Sequence, residues 1–213
     1  TEKPLRKESW AAGIRADLEK YMSDLPEDGA PVKPQLIVKA MRNVLGREDI
    51  AVSDVGMHLL WMARRFPVFK ENTLLVSNGL IPMGFGVPAA IASKIVHPEK
   101  RVAAAIGDGS FSMTSNELET AKRIDKPFVS VVFNDQTYAL IKFRQELNFK
   151  RTFGVDFQNP DLVKYAESFG VSGYRVRSAA ELEEVLRRCL RDDELAVIDV
   201  PVDYEESRRV LQG

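Results

Sequence analysis

The chain has 213 residues, of which 45% are apolar, 8% aromatic and 29% charged, the composition of a globular protein with a sizeable core and not of a disordered or fibrous one. Thirty basic against thirty-one acidic residues leave a net charge of -1, so no summed field recommends nucleic acid or an anionic membrane as a partner, and any anion site must be local. The single cysteine, Cys189, excludes an intrachain disulfide or a multi-cysteine metal site and suits a helix-face thiol in a reducing cytoplasm, while no apolar run approaches the roughly 20 residues that span a bilayer.

Trp10, Ile14, Leu18 and Tyr21 recur at helical spacing behind Ser9, a residue able to cap, and predict an amphipathic helix over residues 9–22. The chain opens on Thr1 with this helix almost at once, as expected of a fragment or a processed product. Residues 24–34 combine three prolines with a glycine, a turn-rich linker. Leu36, Ile37, Ala40, Met41 and Val44 then resume the helical period, so residues 1–33 are expected to be a helix and linker from a preceding domain and residues 34–213 the domain proper. From Ile50 onward, short apolar runs near 50–54, 73–77, 101–106, 128–133, 173–176 and 195–200 alternate with helical stretches. Strands nearly continuous in apolar residues and separated by helices predict a three-layer α/β fold, a mostly parallel six-stranded sheet with helices on both faces.

In such a sheet ligands gather beyond the carboxyl ends of the strands. Two apolar runs empty into acid-bearing loops, Val102–Ile106 into Gly107-Asp108-Gly109-Ser110 and Phe128–Phe133 into Asn134-Asp135-Gln136-Thr137. If the helix around Ser115–Arg123 joins them as neighbours, both ends lie on one edge and Asp108 and Asp135 face each other. Two carboxylates with nearby carbonyl and hydroxyl oxygens make a hard donor set suited to Mg²⁺ or Ca²⁺. Read singly, each loop is more simply an ordinary turn former, and only the pair, each at the end of an apolar strand, brings the two readings level.

The Gly107-Asp108-Gly109-Ser110 segment, separated by 23 intervening residues from Asn134-Asp135, resembles the motif by which thiamine diphosphate enzymes hold metal and cofactor. The resemblance implies that Asp108, Asp135 and the backbone carbonyl of Thr137 bind Mg²⁺, with Gly107, Gly109, Ser110, Asn134 and Tyr138 beside the cofactor. Asp stands at 135 where Asn is commoner, which adds a negative charge beside the diphosphate. Asp54-Val55-Gly56-Met57-His58 opens a helix after the first strand, and helix starts aim N–H groups at anions. This stretch is similar to the Val-Gly-x-His of acetolactate synthases, which makes Val55, Gly56, Met57 and His58 candidate diphosphate contacts. Asn78-Gly79-Leu80-Ile81-Pro82-Met83-Gly84-Phe85-Gly86 resembles the family stretch whose bulky apolar residue bends the cofactor, a role that falls to Met83, with Asn78, Gly79 and Leu80 as contacts and Met113 as a second wall. The likeness continues through residues 156–157, 164–170 and 199–204.

For the parent enzyme the resemblance implies condensation of two pyruvates, 2-oxo acids, into 2-acetolactate with loss of CO₂. The glutamate that activates the cofactor belongs in that family to a pyrimidine-binding domain of another subunit, so this chain alone is expected to be inactive and its parent a homodimer or homotetramer. FAD in the parent is not inferable from these residues. Arg144 stands nine residues after Asp135, where biosynthetic members carry tryptophan, which favours a catabolic, pyruvate-only enzyme. Lys142, Arg144, Lys150 and Arg151 could face a carboxylate or form a solvated face. Beside another 2-oxo acid decarboxylase or oxidase of the same superfamily, two other readings compete. Gly84, Gly86 and Ala89, with Asp108 22 residues beyond Gly86, mimic a dinucleotide fingerprint but lack its tight turn. A non-catalytic regulatory module is the second.

Overall fold

The computed structural model describes residues 7–207. In chain order the elements are α1 (Lys7–Ser23), α2 (Pro34–Val44), β1 (Ile50–Ser53), α3 (Met57–Arg65), β2 (Leu74–Val76), α4 (Gly86–Val96), β3 (Val102–Gly107), α5 (Asp108–Thr114), α6 (Glu117–Arg123), β4 (Val129–Asn134), α7 (Ala139–Phe149), α8 (Leu162–Ser168), β5 (Ser172–Arg175), α9 (Ala179–Arg191) and β6 (Ala196–Pro201). The sheet runs β2-β1-β3-β4-β6-β5 with every pair parallel, so it is wholly parallel where the sequence predicts mostly so.

The alternation of side chains along each strand divides the core in two. Ala103, Ala105, Val129, Val131, Ile198 and Val200 point to one face, where α2, α3 and α9 deliver Ile37, Met41, Trp61, Met62, Leu182 and Leu186. Val102, Ala104, Ile106, Val132 and Val197 point to the other, against Val87 and Ile91 of α4, Phe111 of α5, Leu118 of α6 and Leu162 of α8. Both faces are covered, which is why the strands are apolar on both sides. The run of alanines in β3 leaves room for helices to approach closely. Gly173 does the same in β5, where a Cβ would lie 2.6 Å from the carbonyl oxygen of Val163 in α8.

The linker docks onto this body. Val32 is fully buried and pairs with Val202 in an isolated bridge, and the Asp28 carboxylate accepts from the Ala179 and Ala180 amides at the start of α9. Ahead of it, α1 begins at Lys7, so Ser9 lies within the helix and not at its cap. The expected apolar stripe is largely uncovered, with Trp10 72%, Ile14 47% and Leu18 53% exposed; α1 touches the body through Tyr21, over whose ring Arg65 sits at 4.0 Å. Cys189 is buried in α9, and burial, reinforced by Glu194, pushes its thiol up to about 12, so it is an inert core residue.

Candidate cofactor site

Because the strands all run one way, the loops leaving β1, β3 and β4 meet at a single edge, where they enclose a cavity of about 260 Å³. The pairing of Gly107 with Phe133 sets the ends of β3 and β4 side by side, and Asp108, Asp135 and Thr137 all line the cavity. Asp135 is pushed up to about 7, chiefly by burial and further by the charge of Asp108, against a hydrogen bond from the Thr137 hydroxyl; that bond is 2.7 Å long. Burial also raises Asp108, against hydrogen bonds from Asn159, Gln136 and Gly109. Two desolvated acids, one raised further by the charge of the other, form a site that a cation would relieve.

The hydrogen bonds decide which oxygens remain for such a cation. Asp108 Oδ2 accepts from the Gln136 amide and from Asn159 Nδ2, each at 2.7 Å, which occupies both of its lone pairs. Oδ1 accepts from the Gly109 amide at 2.8 Å and keeps one lone pair directed elsewhere. Gln136 adopts a left-handed φ of 57°, the turn that carries its N–H back to Asp108. Asn134 is not in the cavity wall. Its amide donates to Asp199 at 2.8 Å and its carbonyl accepts from Asn159 at 2.9 Å, while Asp199 accepts from Arg175 Nε at 2.8 Å. Asn134 therefore braces Asn159, which braces Asp108. Among the described residues no three His, Cys, Asp or Glu side chains converge, so a cation here rests on two carboxylates and neutral oxygens, a donor set that fits Mg²⁺.

Val55, Gly56, Met57 and His58 form the neighbouring wall. His58 is 1% exposed; burial pushes it down to about 4 despite a hydrogen bond to the Asp54 carbonyl, so it is neutral near pH 7. Its Nε2 is buried without a partner, an orphan polar atom of the kind a ligand satisfies. Glycines let these walls close in: a Cβ at Gly109 would come within 2.6 Å of Tyr138, and one at Gly107 would press on the His58 ring at 3.2 Å. Ser110 lines the cavity as well, with its hydroxyl bonded to the Val55 carbonyl at 3.1 Å.

Met83 lies in the wall across from Gly109, its methyl 3.5 Å from where a Gly109 Cβ would stand. The rest of that stretch is displaced. Asn78, Gly79 and Leu80 are exposed outside the cavity, Leu80 at 99%, and the wall is made by Ile81, at a left-handed φ of 51° unusual for a β-branched residue. Met113 is 51% exposed on α5, with its Cβ 3.4 Å from where a Gly84 Cβ would stand, and is not among the residues lining the cavity. Arg144, Lys150 and Arg151 are exposed, and Lys142 is paired with Asp156 at 2.6 Å.

Comparison with known proteins decides what this edge belongs to. The family model for the C-terminal TPP (thiamine pyrophosphate) binding domain of thiamine pyrophosphate enzymes matches residues 54–200. The chain belongs to this family. The TPP-binding domain is 41% identical over 199 residues to an acetolactate synthase of Bacillus subtilis, covering 91% of this chain and 35% of that protein. It is 34% identical to a catabolic acetolactate synthase of Raoultella terrigena, over 92% of the chain and 36% of that protein. To a probable acetolactate synthase large subunit of Methanocaldococcus jannaschii it is 36% identical, over 94% and 35%. It thus spans about a third of the length of these relatives and is a TPP-binding domain of the acetolactate synthase type.

Several residues of the domain's cleft lie outside the sequence expectations. Phe133, Ala139, Leu140, Ile141 and Tyr204 complete the apolar wall, and Asn159 and Asp54 act from behind it. Asp54 ends the first apolar run as Asp108 and Asp135 end theirs, so the strand-end rule already marks it. Asn159 sits in an irregular loop with no periodicity around it. The Gly84 and Gly86 amides, which a dinucleotide fingerprint would offer to a pyrophosphate, both donate to the Asp54 carboxylate.

Proposed function

We propose that this domain holds the Mg²⁺ and diphosphate of thiamine diphosphate for a carboligase that converts two pyruvates into 2-acetolactate and CO₂. The observation that carries the reading is the convergence of Asp108, Asp135 and Thr137 on one cavity that the Val55–His58 turn also lines. In it, Asp108, Asp135 and the Thr137 carbonyl hold the metal, and Val55, Gly56, Met57 and His58 lie along the diphosphate with Gly107, Gly109, Ser110 and Tyr138. Met83 supports the bent cofactor. The bound cofactor supplies the electron sink for decarboxylation of a 2-oxo acid; the domain's own part is to neutralise and orient its anionic tail.

Among the described residues no glutamate lines the cavity, which supports a half-site completed by the pyrimidine-binding domain of another subunit, in a homodimer or homotetramer. The isolated chain is accordingly inactive. Arg144 supports pyruvate as the acceptor over larger 2-oxo acids, and FAD has no contact assigned to it in this domain. No helix among the described residues is long and apolar enough to cross a membrane.

Calorimetry with thiamine diphosphate and Mg²⁺ tests the reading. The wild type binds the pair, and Asp108→Ala loses at least about a hundredfold in affinity, the scale of a buried charged ligand removed. Binding of NAD in place of thiamine diphosphate overturns the assignment. Mixing with a separately expressed pyrimidine-binding domain restores pyruvate consumption if the domain is catalytic and leaves it at zero if it is a regulatory module.

A further inference from the structure

One buried acid at the edge of the cavity takes no part in the metal site. Asp54, the residue after β1, is 0% exposed, and burying a carboxylate is costly unless polar groups replace its water. Here the replacement is mainly backbone from two separate segments, aided by the Ser110 hydroxyl. Oδ1 accepts from the Val55 amide at 2.6 Å and from the Gly84 amide at 3.2 Å, and Oδ2 accepts from the Gly86 amide at 2.6 Å. The turn it grips is otherwise an awkward one. Gly84 has a left-handed φ of 86°, and a Cβ at Gly86 would lie 2.7 Å from Ile106 and 3.0 Å from Asp54 itself. Met83, which stands in the cavity wall, immediately precedes Gly84.

We infer that Asp54 is the positioning residue for Met83: a carboxylate bridge that fixes the Gly84–Gly86 turn to the end of β1 and so sets how far Met83 reaches under the thiazolium end of the cofactor. This rests on the thiamine diphosphate reading above. The chemistry calls for a carboxylate and not its amide. Each of its two oxygens accepts, on opposite sides, whereas an asparagine offers one acceptor and turns an NH₂ toward an N–H on the other side. The segments differ in their remaining anchors. The β1 end keeps the Asp54 amide bond to Ala105 at 2.9 Å and the Ser110 bond to Val55 at 3.1 Å, so the diphosphate wall survives loss of the bridge. The Met83 turn keeps the Thr114 hydroxyl bond to the Gly84 carbonyl at 3.2 Å and, on its helix side, the Ala89 amide bond to the Phe85 carbonyl at 3.0 Å, so Asp54 alone ties it to the end of β1. Removing the bridge therefore loosens the wedge and spares the metal and diphosphate site.

The test is calorimetric titration of the whole chain with two probes, inorganic pyrophosphate and thiamine diphosphate, each with Mg²⁺. Asp54→Asn should keep its pyrophosphate affinity within about threefold and lose at least about tenfold for thiamine diphosphate, the scale of one buried hydrogen bond to a charged group. Met83→Ala should show the same selective loss, and the double variant no more than about twofold beyond either single one, since the two act as a unit. Equal weakening of both probes makes Asp54 merely structural, and wild-type affinity for both removes its role; either result overturns the proposal, as does an additive double variant. If Asp54→Asn does not fold, Gly84→Ala attacks the same turn with Asp54 in place, and wild-type thiamine diphosphate affinity in that variant is equally fatal. Failure of the underlying reading looks different: the wild type then binds neither probe, or Asp108→Ala binds both unchanged.

Discussion

Lowering the pH from 8 to 6 is expected to weaken Mg²⁺ binding by about tenfold through Asp135 alone. In the metal-free domain this carboxyl sits at about 7, raised by burial and by Asp108. A group with that midpoint is roughly nine-tenths ionised at pH 8 and about one-tenth at pH 6, and the metal binds only the ionised form, releasing the proton. The sign for stability follows from the same shift. The ordinary carboxyl value is 3.8, so the metal-free fold binds the proton more tightly than the unfolded chain does. Asp135 costs nothing below about pH 4, and its cost grows as the pH rises and is complete above about 7. A shift of about three units corresponds to about 4 kcal/mol, and solvent screening at a partly exposed side chain reduces this to about 2 kcal/mol. For a chain of this size that is roughly 4–8 °C in Tm. Asp135→Asn removes both effects. The measurement is Mg²⁺ titration at fixed thiamine diphosphate at pH 6, 7 and 8, with thermal unfolding of the metal-free protein alongside. The variant experiences the same ionisation of the ligand, so the difference between the two proteins isolates Asp135. A wild-type pH dependence no steeper than that of Asp135→Asn refutes the reasoning.

Two predictions concern the fold that carries the site. Leu186→Ala empties a fully buried position in α9 and should cost about 2–5 kcal/mol in urea unfolding, with an unchanged slope. Gly173→Ala should destabilise by about 1–3 kcal/mol in the same assay, because its Cβ meets the backbone of Val163 at 2.6 Å and backbone cannot rotate aside.

The sheet was legible because its strands are short, apolar on both faces and bounded by helices, a pattern with few other readings. All six fall within one or two residues of their predicted positions. Asp108 and Asp135 were legible by the same logic, since each is a polar residue placed where an apolar run ends. Residues whose role depends on distant contacts were not. Asn159 meets Asp108 across 51 positions of sequence, and nothing local marks it. Met113 and Asn78–Leu80 lie outside the cavity lining, where a motif alone does not place them: α5 starts at Asp108 itself, and Ile81, at a left-handed φ, lines the cavity beside Met83. The stripe Trp10, Ile14 and Leu18 was legible as amphipathic, but a periodicity specifies a face without specifying what covers it.

The account turns on one cation shared between two strand ends. A crystal of the domain grown with thiamine diphosphate and Mn²⁺, with data collected at the manganese absorption edge, tests it directly. A single anomalous peak is expected within about 2.0–2.3 Å of a carboxylate oxygen from each of Asp108 and Asp135 and of the Thr137 carbonyl. A peak elsewhere, or cofactor density that leaves Asp108 and Asp135 without a common ion, contradicts it.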